Sequence, residues 1–527
     1  QPISKRNQRN KTIQEELVKQ ELDIALLLEF YQSAKQPISK CRSSMKYIQP
    51  IIEELFQKDY VCTIVDNEVG QLCPTYPYRI CIPVGLKNCS KCEEKKELVP
   101  SLSKLKSHFA SSSLGRGRGR FIAPVSLIHY HDTNNDIHYA RFSLRSASLI
   151  QKPETFLNKF TRRSKRLSQS KFEVLDNVEL NEHAEEILQE VHTRKRDKVK
   201  SKIRRSDGKS AKKDSMPKIE FEVEEILDDE SIPIKESLKP TRMEKIRKED
   251  LSSLNGLGVS FIGDLMVEEK LKLLRILQAV SSEKADRKMR YTKFKIFAMP
   301  FPGYEYFAAC NIYAMKLQES EPSKHHHEFL EDAFNDIQFS WDSLCSADNN
   351  VSKVLDSIPN ESIHPQIRSI QWKEYKQWHI EEITKNYMKL LISSFAAKRN
   401  VTDEPFNEGG VLVHCIMGWD RTPTFISMLR LSLWADGVVN PSLTPEELVY
   451  LSIAYDWLSF GHNLVYRSKQ GVELMFYCFN FLLNLKDPEY SFQYALGNEE
   501  EAKENNQKRI AKLKSIHDVF EKILEKG

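Results

Sequence analysis

No apolar run in this sequence approaches the roughly 20 residues that a bilayer crossing requires. No basic start followed by an apolar core and a small-residue cleavage site stands at the N-terminus. Both absences point to a soluble, intracellular chain with a cytoplasmic location. Cysteine is sparse, ten in 527 residues, and lacks the dense, even spacing of a disulfide framework. Five of the ten cluster between Cys62 and Cys92, and Cys89-Ser-Lys-Cys92 is a C-x-x-C that Cys73 or Cys81 would complete. The spacing is irregular and the nearest histidine is His108, so free thiols in a β-rich region fit better than zinc. No metal or other cofactor is expected. The net charge is only +4, yet 29% of residues are charged, so charge is patterned along the chain.

That patterning divides the sequence. Residues 1–40 read as a helical segment, with Ile13, Leu17, Leu22, Ile24, Leu27 and Leu28 set among charges. Residues 41–150 read as β-rich. Short apolar runs at 60–65, 79–84 and 121–128 alternate with proline and glycine. The loop Ser111 to Arg120 is basic but lacks interleaved aromatics, so no nucleic-acid partner is expected. Residues 151–255 read as a charged, disordered insertion. Val191 to Ile219 holds twelve Lys or Arg against three Asp or Glu, and Glu220 to Glu230 is acidic with no base. Attraction to anionic lipid would be a by-product of the basic half. Compact sequence resumes at 256 and runs to 488, with strands at Val259 to Ile262 and Phe294 to Ala298 and a helix over Ser369 to Ser394. His325-His326-His327 reads as exposed loop, because three adjacent histidines do not face one ion. Thr444-Pro-Glu-Glu447 opens a helix with a capping box, and Val472 to Leu485 is apolar almost all round. Residues 489–527 end in an amphipathic helix that packs on the domain or on a partner.

The chemistry lies in Glu408-Gly-Gly-Val-Leu-Val-His-Cys-Ile-Met-Gly-Trp-Asp-Arg-Thr-Pro423. Val411, Leu412 and Val413 predict a buried central strand. Thr422-Pro423 predicts a helix start, with Thr as N-cap and Pro at the first helical position. Asp436-Gly437 supplies the stop. A loop between a strand end and a helix N-terminus cradles phosphate with its backbone N–H groups. Ile416, Met417, Gly418 and Trp419 form that cradle, and Gly418 lets it bend. Arg421, six positions after Cys415, offers a planar fork to two phosphate oxygens. The same positive surroundings favour a thiolate at Cys415, which attacks phosphorus to give a phosphocysteine that water hydrolyses. Thr422 is placed to donate to the sulfur, and His414 to hold the loop shape. Asp420 is the nearest acid for the leaving group; the other reading makes it a brace for Arg421 or a helix cap. Arg467 and Lys469, just past His462, read as structural contacts near a helix end; by analogy alone, one of them would meet a second phosphate. The fold class is α/β: a cysteine-phosphatase-like domain with a central, mainly parallel sheet flanked by helices, plus a smaller β-rich N-terminal region.

At His414-Cys-Ile-Met-Gly-Trp-Asp-Arg-Thr422 the sequence resembles the myotubularin family of phosphoinositide 3-phosphatases. The resemblance extends to its divergent Jumpy-type branch, also known as egg-derived tyrosine phosphatase. Asp264-Leu-Met-Val-Glu268, Ser281-Ser-Glu-Lys284, Leu429-Arg-Leu-Ser-Leu-Trp-Ala-Asp-Gly437, Ala454-Tyr-Asp-Trp457, Phe460-Gly-His462 and Phe479-Asn-Phe-Leu482 carry it. It implies removal of the 3-phosphate from phosphatidylinositol 3-phosphate and phosphatidylinositol 3,5-bisphosphate in a membrane surface, by a peripheral, transiently bound enzyme without metal. It carries Cys415 and Arg421 over directly and Asp420 as the proposed acid. The chain departs from many myotubularins at Ile416-Met417, where they have Ser-Asp, and so lacks a carboxylate on the loop floor. Residues 41–150 would stand as a diverged PH-like module. Two other functions use the same residues. A protein tyrosine phosphatase would need an acid on a separate loop, and no Trp-Pro-Asp sequence is present. A non-catalytic phosphoinositide-binding scaffold would usually lack the Cys or the Arg, and both are here.

Overall fold

The computed structural model describes residues 42–67, 76–87, 122–131, 138–147, 242–267, 288–320, 350–397, 410–469 and 474–524. Single positions at 27, 281, 283, 284, 286, 330, 333, 334 and 336 are described as well. The expected N-terminal helix, the loop at 111–120, Cys89 to Cys92, His325 to His327 and most of 151–255 lie outside these residues. The chain divides into two units. One holds 1–151, 245–269 and 280–527; the other, 152–244 with 270–279, is outside the described residues except for 242–244.

Helix α1 (Arg42–Asp59) leads into an antiparallel pair, β1 (Tyr60–Asp66) and β2 (Arg79–Leu86). This pair is the smaller N-terminal sheet. Strands β3 (Ala123–His131) and β4 (His138–Ala147) form an antiparallel hairpin. After α2 (Arg242–Gly256) come β5 (Val259–Asp264) and β6 (Lys295–Ala298), then α3 (Tyr304–Ser320) and α4 (Ile380–Ala396). Strand β7 (Gly410–Cys415) runs into α5 (Arg421–Ala435). The rest is helical: α6 (Pro445–Leu451), a π-helical stretch Ser452–Ser459, α7 (Leu464–Lys469), α8 (Leu474–Phe481) and α9 (Glu499–Leu524).

The main sheet has the order β3-β4-β7-β5-β6, and three of its four pairings are parallel. All six residues of β7 are buried between β4 and β5, as a strand read from a continuous apolar run should be. Gly410 starts it where space is tightest: a Cβ there would come within 3.1 Å of the Gly258 carbonyl oxygen. Helix α5 is buried from Thr422 to Ala435 and packs against β7, α4, α8 and α9. A helix wrapped this completely is largely apolar, and the charged side chain it does bury, Arg430, has to find its partners inside the fold. Thr444 and Glu447 form the expected capping box of α6. Helix α9 packs on the domain through Leu513, Ile516 and Phe520, and its Arg509 Nε donates to buried Asp436 at 2.8 Å. Burial pushes the Asp436 carboxyl up, and Arg509 offsets only part of that.

Several expectations shift. The hairpin β3–β4 falls in the stretch that the sequence assigns to a β-rich region ending at residue 150. It pairs with β7 and is half of the environment of the central strand. Helix α2 falls inside the stretch read as disordered. Its Asp250 accepts a hydrogen bond from Tyr291 Oη at 2.7 Å, and Ile246, Leu254 and the following Leu257 are buried. The helix expected from Ser369 is broken. Trp372 to Gln377 forms a tighter 3-10 turn and Trp378 is extended, so that both indoles are buried 5.8 Å apart before α4 begins. Helix α5 starts at Arg421, ahead of Thr422. The Thr424 amide and hydroxyl both donate to the Asp420 carbonyl, and Pro423 occupies the third helical position.

Candidate active site

Three parallel strands, β5, β6 and β7, end at the same edge of the sheet. In open α/β sheets that edge is where ligands bind. Cys415 closes β7 there as a buried free thiol, 4% exposed. The chain then turns through Gly418, whose φ of +74° is readily adopted only without a side chain. This turn brings the Gly418 N–H onto Cys415 Sγ, with N to S at 3.3 Å. Helix α5 begins three residues later, so its N-terminal dipole faces the same loop. Ile416, Met417 and Trp419 are half-buried around it. The Thr422 hydroxyl and the Trp419 indole N–H are both buried with no hydrogen-bond partner among the described residues.

Arg421 is anchored from the neighbouring strand ends. Its Nη1 donates to the carbonyl oxygens of Leu265 at 3.1 Å and Phe301 at 3.2 Å, just after β5 and β6. Phe301 belongs to the irregular segment Pro300-Phe-Pro-Gly303, whose backbone thereby takes part in holding Arg421.

Asp420 holds the N-cap position of α5, yet its side chain makes no capping hydrogen bond and none to Arg421. Its carboxylate accepts from Arg467, through Nη2 and through Nε at 3.2 Å, and from His462 Nδ1 at 3.0 Å. The Trp419 carbonyl lies 3.1 Å from the same nitrogen. A carbonyl only accepts, so the network assigns the proton to Nδ1. Burial works to raise the Asp420 pKa. Arg467 first, then His462 and Arg421, outweigh it and hold the carboxyl below its ordinary range. The Arg467 guanidinium stands 5.7 Å from the ring centres of both Tyr304 and Tyr466, which fixes it in place. The structure thus brings Asp420 and Arg467 together; the side chain of Lys469 lies outside the described residues.

Beneath the loop, His414 is fully buried, with Nδ1 3.8 Å from Asp264 and Nε2 3.6 Å from Glu283. Lys284 Nζ lies 3.0 Å from Asp264, and the Met266 amide donates to it at 3.0 Å. Burial alone would raise the Asp264 pKa. Lys284, then His414 and the amide, reverse that and hold it at about 2. A carboxyl depressed in the fold adds stability above its unfolded value of about 3.9, and loses it as pH falls through the folded value. From about pH 5 to about pH 2 the protein should therefore lose about 2 kcal/mol more stability than Asp264→Asn. Urea unfolding of both proteins across that window checks it. Parallel curves would show that Asp264 is not depressed.

Two contributors escaped the sequence reading. Arg145, on β4, donates to the Gly418 carbonyl from below. Tyr304, at the start of α3, lies against Arg467. Neither carries a local signal, because each acts on residues more than 150 positions away. Among the described residues, no three or more His, Cys, Asp or Glu side chains gather to hold a metal.

No family model matches the chain, and no solved structure matches it. Curated proteins do. Phosphatidylinositol-3,5-bisphosphate 3-phosphatase MTMR14 of Homo sapiens is 31% identical over 476 residues, covering 90% of this chain and 59% of that protein. The protein of that name in Mus musculus is 31% identical over 468 residues, 88% and 58% of the two chains. A myotubularin-related protein of Dictyostelium discoideum is 29% identical over 101 residues, 19% of this chain and 7% of that one. The chain spans less than two thirds of the length of each of these relatives. With the likeness running through nine tenths of its own residues, the chain belongs to the myotubularin family, in its Jumpy-type branch.

Proposed function

We propose that this chain is a phosphoinositide 3-phosphatase that works through a phosphocysteine. The observation that carries the reading is the Gly418 N–H directed at Cys415 Sγ, at the mouth of a buried parallel strand and the start of a helix. An amide that donates to the sulfur favours its ionised form. The names of the curated relatives supply the substrate class.

In the first step Cys415 Sγ attacks phosphorus of the 3-phosphate in line. The S–P bond forms, and the bond from phosphorus to the inositol oxygen breaks. Loop amides and the Arg421 fork hold the phosphate oxygens, whose charge grows in the transition state. Thr422 offers its free hydroxyl to the sulfur as it leaves again. In the resting site Asp420 is ionised by Arg467 and His462. That form suits the second step, where a carboxylate takes a proton from the water that attacks the phosphocysteine and releases inorganic phosphate. For the first step Asp420 must first gain a proton. An incoming phosphate dianion offsets Arg467 and Arg421, and so raises its pKa when substrate is bound. Arg467 is the side chain nearest Asp420 that would meet a second inositol phosphate.

Phosphate release from vesicles bearing phosphatidylinositol 3-phosphate or phosphatidylinositol 3,5-bisphosphate, compared with a phosphotyrosine peptide, tests the reading. Both lipids should be turned over, with kcat/KM exceeding that of the peptide by at least about tenfold. A preference for the peptide would overturn the substrate class.

A further inference from the structure

Arg145 is fully buried on β4. In the parallel register Arg145 lies opposite Val413, and Ala147 opposite Cys415. Residues two apart on a strand share a face, so Arg145 stands on the same side of the sheet as Cys415. Its guanidinium lies 4.1 Å from the Phe460 ring centre. Nη2 donates to the Gly418 carbonyl and Nη1 to the Asp456 carbonyl, both neutral acceptors. The Nε N–H is buried without a partner among the described residues. The Asp456 carboxylate makes no hydrogen bond to it; Arg430 donates to both of its oxygens, at 2.7 and 2.8 Å, so one carboxylate charge stands against two buried guanidinium groups. A buried cation bound only by carbonyls is expensive unless an anion lies nearby.

We propose that Arg145 is a positioning residue that provides the buried counter-charge of the Cys415 thiolate and sets the peptide that follows Gly418. This inference rests on Cys415 being the nucleophile. The two parts share one geometry. A peptide is planar, with its carbonyl and N–H pointing opposite ways. Drawing the Gly418 carbonyl down to Arg145 therefore turns the Trp419 N–H up, towards the cradle. The other charged groups around the pair have partners of their own. Arg421 is bound by two carbonyls, Asp420 by Arg467 and His462, and Asp456 by Arg430. His414, with Asp264, Glu283 and Lys284, is one residue before Cys415 on β7 and so on the opposite face. Burial pulls the Arg145 pKa down, while Tyr76, Asp456, Cys415 and Tyr455 act against it.

The test is the rate of Cys415 alkylation by iodoacetamide, read by mass spectrometry from about pH 5 to about pH 9. The variants are Arg145→Gln, Arg145→Met and Arg145→Lys in the full chain, with circular dichroism to verify the fold. Arg145→Gln keeps a donor for the Gly418 carbonyl and removes the charge. Arg145→Met removes both and fills the space with apolar atoms, which a buried ionic site often tolerates. Each neutral variant should move the alkylation midpoint up by about one pH unit or more, whereas Arg145→Lys should stay within about half a unit. A neutral variant that does not fold alone is measured in trimethylamine N-oxide, which favours the compact state. A folded neutral variant with the unchanged midpoint overturns the proposal. A parent midpoint at the ordinary thiol value of about 8.5 would overturn Cys415 as nucleophile instead, whatever Arg145 does.

Discussion

Cys415→Ser is expected to lower phosphate release from phosphatidylinositol 3-phosphate by at least about 10³-fold, because loss of an activated nucleophile removes the covalent route. The change is small in shape, and its effect is chemical. A thiol ionises in reach of neutral pH, and one loop amide with a helix N-terminus favours the anion further. An alcohol starts so far above neutral pH that the same surroundings leave it protonated. Arg421, the Leu265 and Phe301 carbonyls that fix it, and the loop amides remain in the variant. Phosphate recognition should therefore survive. The expected pair of results is no measurable release in a phosphate assay, and binding to vesicles of the same lipid within about threefold of the parent, on the order of RT in free energy. Turnover above about a hundredth of the parent rate would rule out the phosphocysteine route. Lost binding together with lost turnover would mean that the sulfur also holds the loop together.

The loop was legible because its chemistry is local. Seven residues carry the nucleophile, the bend and the fork, and the apolar run before them announces the strand. The capping box at Thr444 and the stop at Gly437, with φ of +78°, are local in the same sense. What the sequence left hidden is set by register and packing. Arg145 reaches the loop because β4 pairs with β7 across more than 260 residues, and nothing in Ser143-Leu-Arg-Ser-Ala147 announces that partner. The run at 121–128 was legible as a strand, but not as a member of the main sheet, and β4 had no apolar run to announce it. Asp420 was read as an acid from its place in the motif. The ion pair that keeps it charged comes from Arg467, whose position depends on Tyr304 and Tyr466. The π-helical stretch was likewise invisible. Its apolar spacing reads as ordinary helix through Leu458, while the backbone widens from Ser452 and places Asp456 between two buried arginines. Such widened turns often mark functional sites.

Those two arginines lead to the largest expected loss of stability. Arg430 is 1% exposed, and Asp456 is fully buried. The guanidinium donates to both Asp456 oxygens, to the Asn440 side chain at 2.9 Å and to the Val125 carbonyl of β3 at 2.7 Å. It thereby joins α5, the π-helical stretch and the edge of the main sheet. Arg430→Leu would leave a carboxylate in the core without its cation. Breaking a buried pair in this way costs about 3–5 kcal/mol. The midpoint of urea unfolding should fall accordingly, followed by circular dichroism at neutral pH. Removing both charges, Arg430→Leu with Asp456→Leu, should recover a good part of the loss, because two apolar side chains have no desolvation to offset. Recovery should stay incomplete, since the Val125 carbonyl and Asn440 still lose their donor. The Asp456 backbone carbonyl that Arg145 uses remains in both variants. A double variant no more stable than Arg430→Leu would mean that the arginine holds the fold through its contacts to β3 and Asn440, and that the buried charge pair adds nothing of its own.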